Sequence, residues 1–141
     1  MIERQATCRQ RWAVQKDSRM SEIRKLWRLY QHNPEASSEE LGRWGEYGLS
    51  FDYVASGTFA RQHMGYWRFQ ISYGGPSEEF RFYADHPRAQ AHRITFAFLD
   101  WWDGYERKLS GKDEALMAEI WQDWQDTGSV QWEYDQAMDV A

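Results

Sequence analysis

The clearest alternation of hydrophobic and polar residues lies between positions 65 and 85. Apolar side chains recur at every second position from Trp67 to Tyr73, and the alternation resumes at Phe80 and Phe82 after the sequence Gly-Gly-Pro-Ser. Successive side chains of a β-strand point to opposite faces, so a period of two indicates half-buried strands. Because glycine and proline favour tight turns, the segment predicts a central β-hairpin.

Two further strands are predicted, one on either side of this hairpin. Residues 47–54 alternate between apolar and polar positions, whereas residues 92–102 form the most apolar stretch of the chain. The second stretch is apolar at both odd and even positions, which indicates a strand covered on both faces. Asp103 and Gly104 are expected to turn the chain after it. Since consecutive strands with short connections usually pair, the four strands predict an antiparallel meander.

An amphipathic helix is predicted before the first strand. Hydrophobic residues between Ile23 and Tyr30 fall at helical spacing, with Ser21 as a candidate N-cap and the sequence His-Asn-Pro at 32–34 as the end. Residues 1–19 show no clean period. We expect them to form a basic N-terminal extension ahead of the folded domain.

Helical patterns recur in two later segments. The capping-box pair Ser37 and Glu40 predicts a short helix. Residues 116–124 carry a hydrophobic stripe that predicts a longer amphipathic helix, which Gly128 would end. For residues 130–134, which alternate only briefly, a short strand and a second helix are both open.

These patterns predict an α+β fold, in which a four-stranded antiparallel meander is flanked by an N-terminal and a C-terminal amphipathic helix. Residues 20–141 are expected to form a single domain. Aromatic residues make up 17% of the 141 residues and include nine Trp, so the core must rely on large rings. Some of these rings are expected at the surface, where Trp and Tyr favour protein interfaces. The alternative is that all nine Trp serve the core or its rim.

The remaining composition narrows the functional class. A single cysteine, Cys8, excludes a disulfide framework and a cluster of thiolate metal ligands. The sequence has neither a long apolar run nor a hydrophobic signal core, so we expect a cytoplasmic protein without a membrane segment. No cofactor is predicted.

Charge is distributed unevenly along the chain, whose net charge is −5. Residues 1–30 have a net charge of +5, residues 31–99 of −2, and residues 100–141 of −8. Such an asymmetry bears on partners and solubility rather than on the fold.

The acidic third of the chain also contains several Trp and Tyr residues. A negative surface with aromatic anchors is suited to a cationic protein partner, because charge steers the encounter and buried rings hold the complex. An acidic helix that merely keeps the protein soluble is the commoner case. The predicted partner-binding residues are Asp103, Glu106, Asp113, Glu119, Trp121, Asp123, Trp124 and Asp126. A homodimer is a further alternative.

The basic segment supports a different hypothesis, that of a nucleic-acid-binding accessory protein. Cations interleaved with aromatic rings meet the electrostatic condition for weak binding to phosphates. Several of them, however, would occupy the solvated face of the predicted helix. The residues of this alternative are Arg4, Arg9, Arg11, Lys16, Arg19, Arg24, Lys25 and Arg28.

Catalytic chemistry has weaker support. The only collection of suitable side chains consists of three histidines and nearby carboxylates: His63, His86, His92, Asp85, Asp100 and Asp103. Their spacing matches no known metal-binding or hydrolytic motif, and ordinary loop polarity accounts for them. A small hydrolase or ligand-binding protein is therefore the third alternative, and an enzyme is not favoured.

Three segments carry a family resemblance: EYGLSFDYV, YWRFQISYGGPSEEFRFYAD and FLDWWDG. They resemble short proteins of bacterial plasmids, phages and integrated elements. The resemblance covers roughly residues 27–124 and leaves out residues 1–19. It carries no named activity and no functional residues, but it implies a context in which small acidic proteins inhibit host defence complexes, as anti-CRISPR proteins do.

The leading hypothesis is therefore a non-enzymatic acidic protein that binds another macromolecule. In its specific form, the protein inhibits a host defence complex by blocking a nucleic-acid-binding surface.

Overall fold

The computed structural model describes residues 6–139 as helices packed on an antiparallel sheet. The elements follow in the order α1 (Cys8–His32), a 3-10 turn (Trp44–Glu46), β1 (Ser50–Val54), β2 (Tyr66–Ser72), β3 (Ser77–Tyr83), β4 (Arg93–Asp100), β5 (Asp103–Lys108), α2 (Gly111–Asp126) and α3 (Ser129–Met138). None of these helices is long and apolar enough to cross a membrane.

The sheet confirms the predicted α+β class and the antiparallel meander, with strands in the order β1-β2-β3-β4-β5. The predicted number of four strands was wrong, because β5 pairs with β4 along the edge of the sheet. Its residues, Asp-Gly-Tyr-Glu-Arg-Lys, are mostly charged and exposed or half-buried. A strand of this composition shows no hydrophobic alternation, so the sequence pattern could not reveal it.

Helix α1 is much longer than the predicted helix at residues 21–31. It begins after Thr7, whose hydroxyl accepts the Gln10 N–H in a capping box, and it ends at His32 as predicted. Ser21, the candidate N-cap, therefore lies inside the helix. Cys8 and Trp12 are buried in the same core as the later turns of α1. Residues 8–19 thus belong to the folded core rather than to a separate extension.

Two other local predictions are settled by the backbone. The short helix proposed from Ser37 and Glu40 is replaced by a closed turn in which Ser38 and Gly42 pair with each other. Gly42 has a φ of +76°, a left-handed conformation that does not continue a helix. Residues 130–134, left open between strand and helix, lie within α3. The chain therefore has two C-terminal helices instead of one.

Large rings fill the space between the helices and one face of the sheet. Phe80, Phe82 and Phe96 from the strands are fully buried there. Trp12 packs edge-on against Phe96, and Trp121 stacks on Phe82 with ring centroids 5.3 Å apart. The opposite sheet face has no helix on it in the described chain, and we call it the open face.

Ion pairs attach α1 to the rest of the chain. The Arg19 guanidinium donates to both carboxylate oxygens of Glu78 on β3, at 2.9 and 2.7 Å. Glu78 is only 2% exposed, so its charge depends on this bidentate partner. The basic N-terminal helix is therefore fastened to the sheet partly by charge.

Replacing Arg19 with Met should strand the buried Glu78 carboxylate and lower the free energy of unfolding by about 3–5 kcal/mol. The double variant R19M/E78Q should cost less than the sum of the two single changes, because the coupled charges leave together. Urea denaturation followed by circular dichroism measures both quantities. Arg28→Met, at an exposed position of the same helix, should change stability by no more than about 0.5 kcal/mol. Equal losses of unfolding free energy for R19M and R28M would contradict a stabilising role of the Arg19–Glu78 ion pair.

Candidate functional site

Four exposed hydrophobic side chains lie at one end of the sheet, although they are far apart in sequence. Leu49 directly precedes β1, Tyr73 lies in the β2–β3 loop, and Trp101 and Trp102 form the β4–β5 turn. The pairing Ser50↔Gln70 brings the first of these segments beside the second. The pairings Ser77↔Leu99 and Asp100↔Asp103 place the β4–β5 turn at the same end of the sheet as the β2–β3 loop. We call these four residues the aromatic end.

The exposure of these residues is unusually large for apolar side chains. Trp102 is 100% exposed and Trp101 is 86% exposed. Tyr73 and Leu49 are 78% and 61% exposed. Single exposed apolar residues need no explanation, but a group of them at one end of a fold is typical of a binding surface.

The turn that presents the two Trp residues is held on both sides. Arg11 of α1 donates to Asp100 at 2.6 Å, and Asp103 accepts the Cys8 backbone N–H at 2.7 Å. This N–H at the start of α1 is the main cause that lowers the pKa of Asp103, since a helix N-terminus stabilises a carboxylate. The turn is therefore fixed to the helix layer and presents its rings in a defined position.

Trp101 adopts a backbone conformation that its side chain does not favour. Its φ is +56°, in the left-handed region that glycine and asparagine normally occupy in two-residue hairpin turns. Such strain costs on the order of 1 kcal/mol and persists mainly at functional positions. A Trp at this point is therefore not explained by the needs of the turn.

Most of the predicted partner-binding residues are used internally. Trp121 is buried, and Trp124 packs against the core rings Phe69 and Phe82. Asp113 accepts from Lys16 and Arg24 of α1, at 2.8 and 3.0 Å.

The three other predicted carboxylates of α2 are less involved in the core. Glu119 is exposed and accepts from the indole of Trp27. Asp126 is also exposed, and burial together with Asp126 raises the pKa of Asp123. The predicted set thus does not form one surface: Asp103 lies beside the aromatic end, and these carboxylates lie on α2.

Glu106 lies on the open face as the acceptor of a polar cluster. It accepts from Arg81 at 2.8 Å and from the hydroxyls of Tyr83 and Thr95 at 2.6 Å each. Burial raises its pKa, but Arg81 and the two hydroxyls outweigh burial, so the pKa lies below its ordinary value. Burial and Glu106 raise the pKa of Tyr83 to about 12. Glu106 therefore stabilises the sheet rather than a partner contact.

The C-terminal helices nevertheless carry a strongly acidic surface. Residues 113–141 contain no Lys, Arg or His. On α3, Trp132 and Asp135 are exposed and share one helix face, and the exposed Asp139 caps the end of the helix four residues later. We call α2 and α3, with their exposed carboxylates, the acidic helices.

Ion pairs neutralise half of the eight cations of the nucleic-acid alternative. Four of them form ion pairs in the structure: Arg11, Lys16, Arg19 and Arg24. Three others are exposed and form no ion pair within residues 6–139: Arg9, Lys25 and Arg28. Arg4 lies outside the described residues. The remaining positive surface of α1 is therefore smaller than the sequence indicates.

The histidines of the third alternative are only partly brought together. His63 and His92 line one cleft, whereas His86 accepts the Arg88 backbone N–H through Nδ1. Asp85 lies 3.6 Å from His92, but Asp100 and Asp103 lie beyond the opposite end of β4. Residues 6–139 contain no group of three or more His, Cys, Asp or Glu side chains arranged to hold a metal ion.

No family model matches the chain, and no curated protein or solved structure matches it significantly. The resemblance to proteins of mobile elements therefore stays a prediction. The function has to be argued from the geometry of the chain itself.

The sequence interpretation missed the aromatic end because it counted Trp101 and Trp102 as part of a strand. A signal was nevertheless present, since Asp-Trp-Trp-Asp-Gly has turn-forming residues on both sides of the pair. Leu49 and Tyr73 join these rings only through the sheet register, which single-sequence patterns do not give.

Glu106→Gln should lower the free energy of unfolding at neutral pH by about 1–3 kcal/mol, because it weakens three hydrogen bonds to a charged acceptor. The pKa of Glu106 is lower in the folded protein, so its ionised form contributes stability above the unfolded pKa of about 4.3. That contribution is lost as the pH falls through the folded pKa. The difference in unfolding free energy between wild type and variant should therefore become smaller at acid pH.

Urea denaturation of both proteins across this pH range provides the measurement. The control is Glu40→Gln at an exposed position, whose small effect should not depend on pH in this way. If the stability difference between wild type and E106Q stayed constant down to the lowest pH at which the protein folds, the stabilising role of the ionised Glu106 would be contradicted.

Proposed function

We propose that the protein is a non-enzymatic binding protein that docks onto a protein partner through its aromatic end. The observation that carries the proposal is the pair of exposed tryptophans in a strained, firmly attached turn. Trp is enriched among the residues that dominate interface energy, and a preorganised ring loses little entropy on binding.

The surrounding residues fit this role. Asp100 and Asp103 are already bound to Arg11 and to the start of α1, so the turn does not need a partner to become ordered. The two tryptophans supply the apolar anchor that an interface core requires, and Tyr73 and Leu49 add apolar surface at the same end of the sheet, beside the ends of β2 and β1.

Electrostatics supports a cationic partner. Among the described acidic helices Lys112 at the start of α2 is the one basic residue, residues 113–139 carry carboxylates alone, and much of the positive charge of α1 is paired internally. The field outside the protein therefore favours approach of a basic surface, such as that of a nucleic-acid-binding protein. In the specific form of the proposal, the protein occupies such a surface on a host defence complex and inhibits it.

The turn variant W101N/W102G separates binding from folding. Asn tolerates the positive φ at position 101 and Gly is free to adopt the φ at position 102, so the fold should survive with its stability within about 1 kcal/mol of wild type. It should also lose partner binding, because both anchors are gone. Affinity capture from lysate of the native host, followed by interferometry with the recovered partner, measures binding, and urea denaturation measures stability.

The matched control is Trp132→Asn, which removes an exposed Trp outside the aromatic end and should leave the anchored contact intact. Equal capture by W101N/W102G and wild type would overturn the proposal. Sedimentation of the purified protein tests the homodimer alternative, because an anchor that binds a second copy would give a dimer that W101N/W102G abolishes.

Reversing charge on α3 should slow association without weakening the anchored complex. For D135K/D139K, the association rate at low salt is expected to fall roughly threefold to tenfold, and the dissociation rate should change little. Lysines near the C-terminus of a helix also suit its dipole. E39K/E40K changes net charge equally at exposed positions in the α1–β1 connection, so an equal slowing there would contradict a steering role of the acidic helices.

A further inference from the structure

A cleft of about 690 Å³ lies on the open face, at the end of the sheet opposite the aromatic end. One wall is formed by strand residues, among them Arg81, Tyr83 and Arg93. The other wall is the β1–β2 loop from Phe59 to Met64. Its size falls in the range of small-molecule sites, which is about 300–1,000 Å³.

The Arg81 guanidinium lies at the floor of the cleft, where two carboxylates hold it in place and one of its nitrogens remains without a hydrogen bond within the described chain. Arg81 donates through Nε to Glu79 and through Nη1 to Glu106, both at 2.8 Å. Its Nη2 makes no hydrogen bond to any residue in the described part of the chain. The side chain lines the cleft and is 18% exposed, so the fixed guanidinium presents a preorganised donor group there. Glu106 also lines the cleft, where its charge is countered by Arg81 and Arg93. Its oxygens accept from Arg81 Nη1, Tyr83 and Thr95.

The remaining charge of the cleft lining is positive. Arg93 and Arg61 form no direct ion pair among residues 6–139, although Arg93 lies near enough to Glu106 to help lower its pKa. The Arg93 guanidinium lies 5.9 Å from the centroid of the Tyr83 ring. Arg61 has a left-handed φ of +62°, a conformation that few non-glycine residues adopt. His63 and His92 add two further donors. The lining therefore favours an anion.

The loop wall is built before any ligand arrives. The Gln62 side chain donates to the carbonyls of Ala55 and Met64, at 3.1 and 2.8 Å, and accepts the Phe59 N–H at 3.0 Å. Phe59 and Met64 are each 51% exposed, although they line a cleft. They offer an apolar surface to a planar ring opposite the Tyr83 wall.

The geometry points to a small-molecule site for a phosphate monoester carried on a planar ring, of the size of a nucleoside monophosphate. The phosphate contacts Arg81 Nη2 and Arg93, because guanidinium groups match phosphate oxygens. The ring packs between the Phe59–Met64 wall and Tyr83. This site is independent of the aromatic end and of the partner proposed for it.

The test is isothermal titration calorimetry of the full chain with adenosine and uridine monophosphates. Adenosine alone and inorganic phosphate are titrated as partial ligands, and a single-stranded oligothymidylate tests whether the phosphates belong to nucleic acid. We expect saturable binding of both nucleotides, with adenosine and phosphate at least about tenfold weaker. Arg93→Gln should weaken nucleotide binding about tenfold.

Arg88→Gln is the matched control, because it removes an exposed arginine of the β3–β4 loop that does not line the cleft. It should bind as wild type does, and W101N/W102G should too. The proposal is overturned by the absence of saturable nucleotide binding, by equal affinity for phosphate alone, by equal losses in R93Q and R88Q, or by binding of the oligonucleotide without the monophosphates.

Discussion

The fold depends on a simple constraint: a buried tryptophan has to keep a hydrogen-bond acceptor for its indole N–H. Four of the five buried tryptophans donate to an acceptor within the described chain, and each bond joins two different segments. Trp12 binds the Phe96 carbonyl, and Trp27 binds the Glu119 carboxylate. Trp67 binds the carbonyl of Val130, and Trp121 that of Ala89. The same rings that fill the core therefore also fix how the three helices sit on the sheet, which apolar packing alone would specify less sharply.

Some of the opposite charges at the two ends of the chain neutralise each other. Arg11 binds Asp100, and Lys16 and Arg24 share Asp113, so the contrast seen along the sequence becomes an internal contact. The exposed surface differs from region to region. It is negative over the C-terminal helices, apolar at one end of the sheet, and positive in the cleft on the open face. Each of these surfaces suits a different class of ligand.

The sequence predicted those parts of the fold whose signals are local. The central hairpin, the meander and the end of α1 were all found from periodicity and turn residues. The start of α1 was missed because Lys16 and Arg19, which bind partners distant in sequence, interrupt its hydrophobic stripe. Strand β5 was missed because an exposed edge needs no alternation. The site proved harder to predict: which Trp residues are buried is decided by register and helix packing, so Trp121 and Trp124 looked the same as Trp101 and Trp102.

The contacts of α1 also constrain when the protein can fold. The partners of Cys8, Trp12 and Lys16 follow them by 95, 84 and 97 residues. During synthesis the helix therefore leaves the ribosome long before β4, β5 and α2 exist to receive it. Closing such long loops is slow, and until then Trp12 and the rest of the apolar stripe are exposed to other chains. The last third of the polypeptide thus completes the core that its first helix begins.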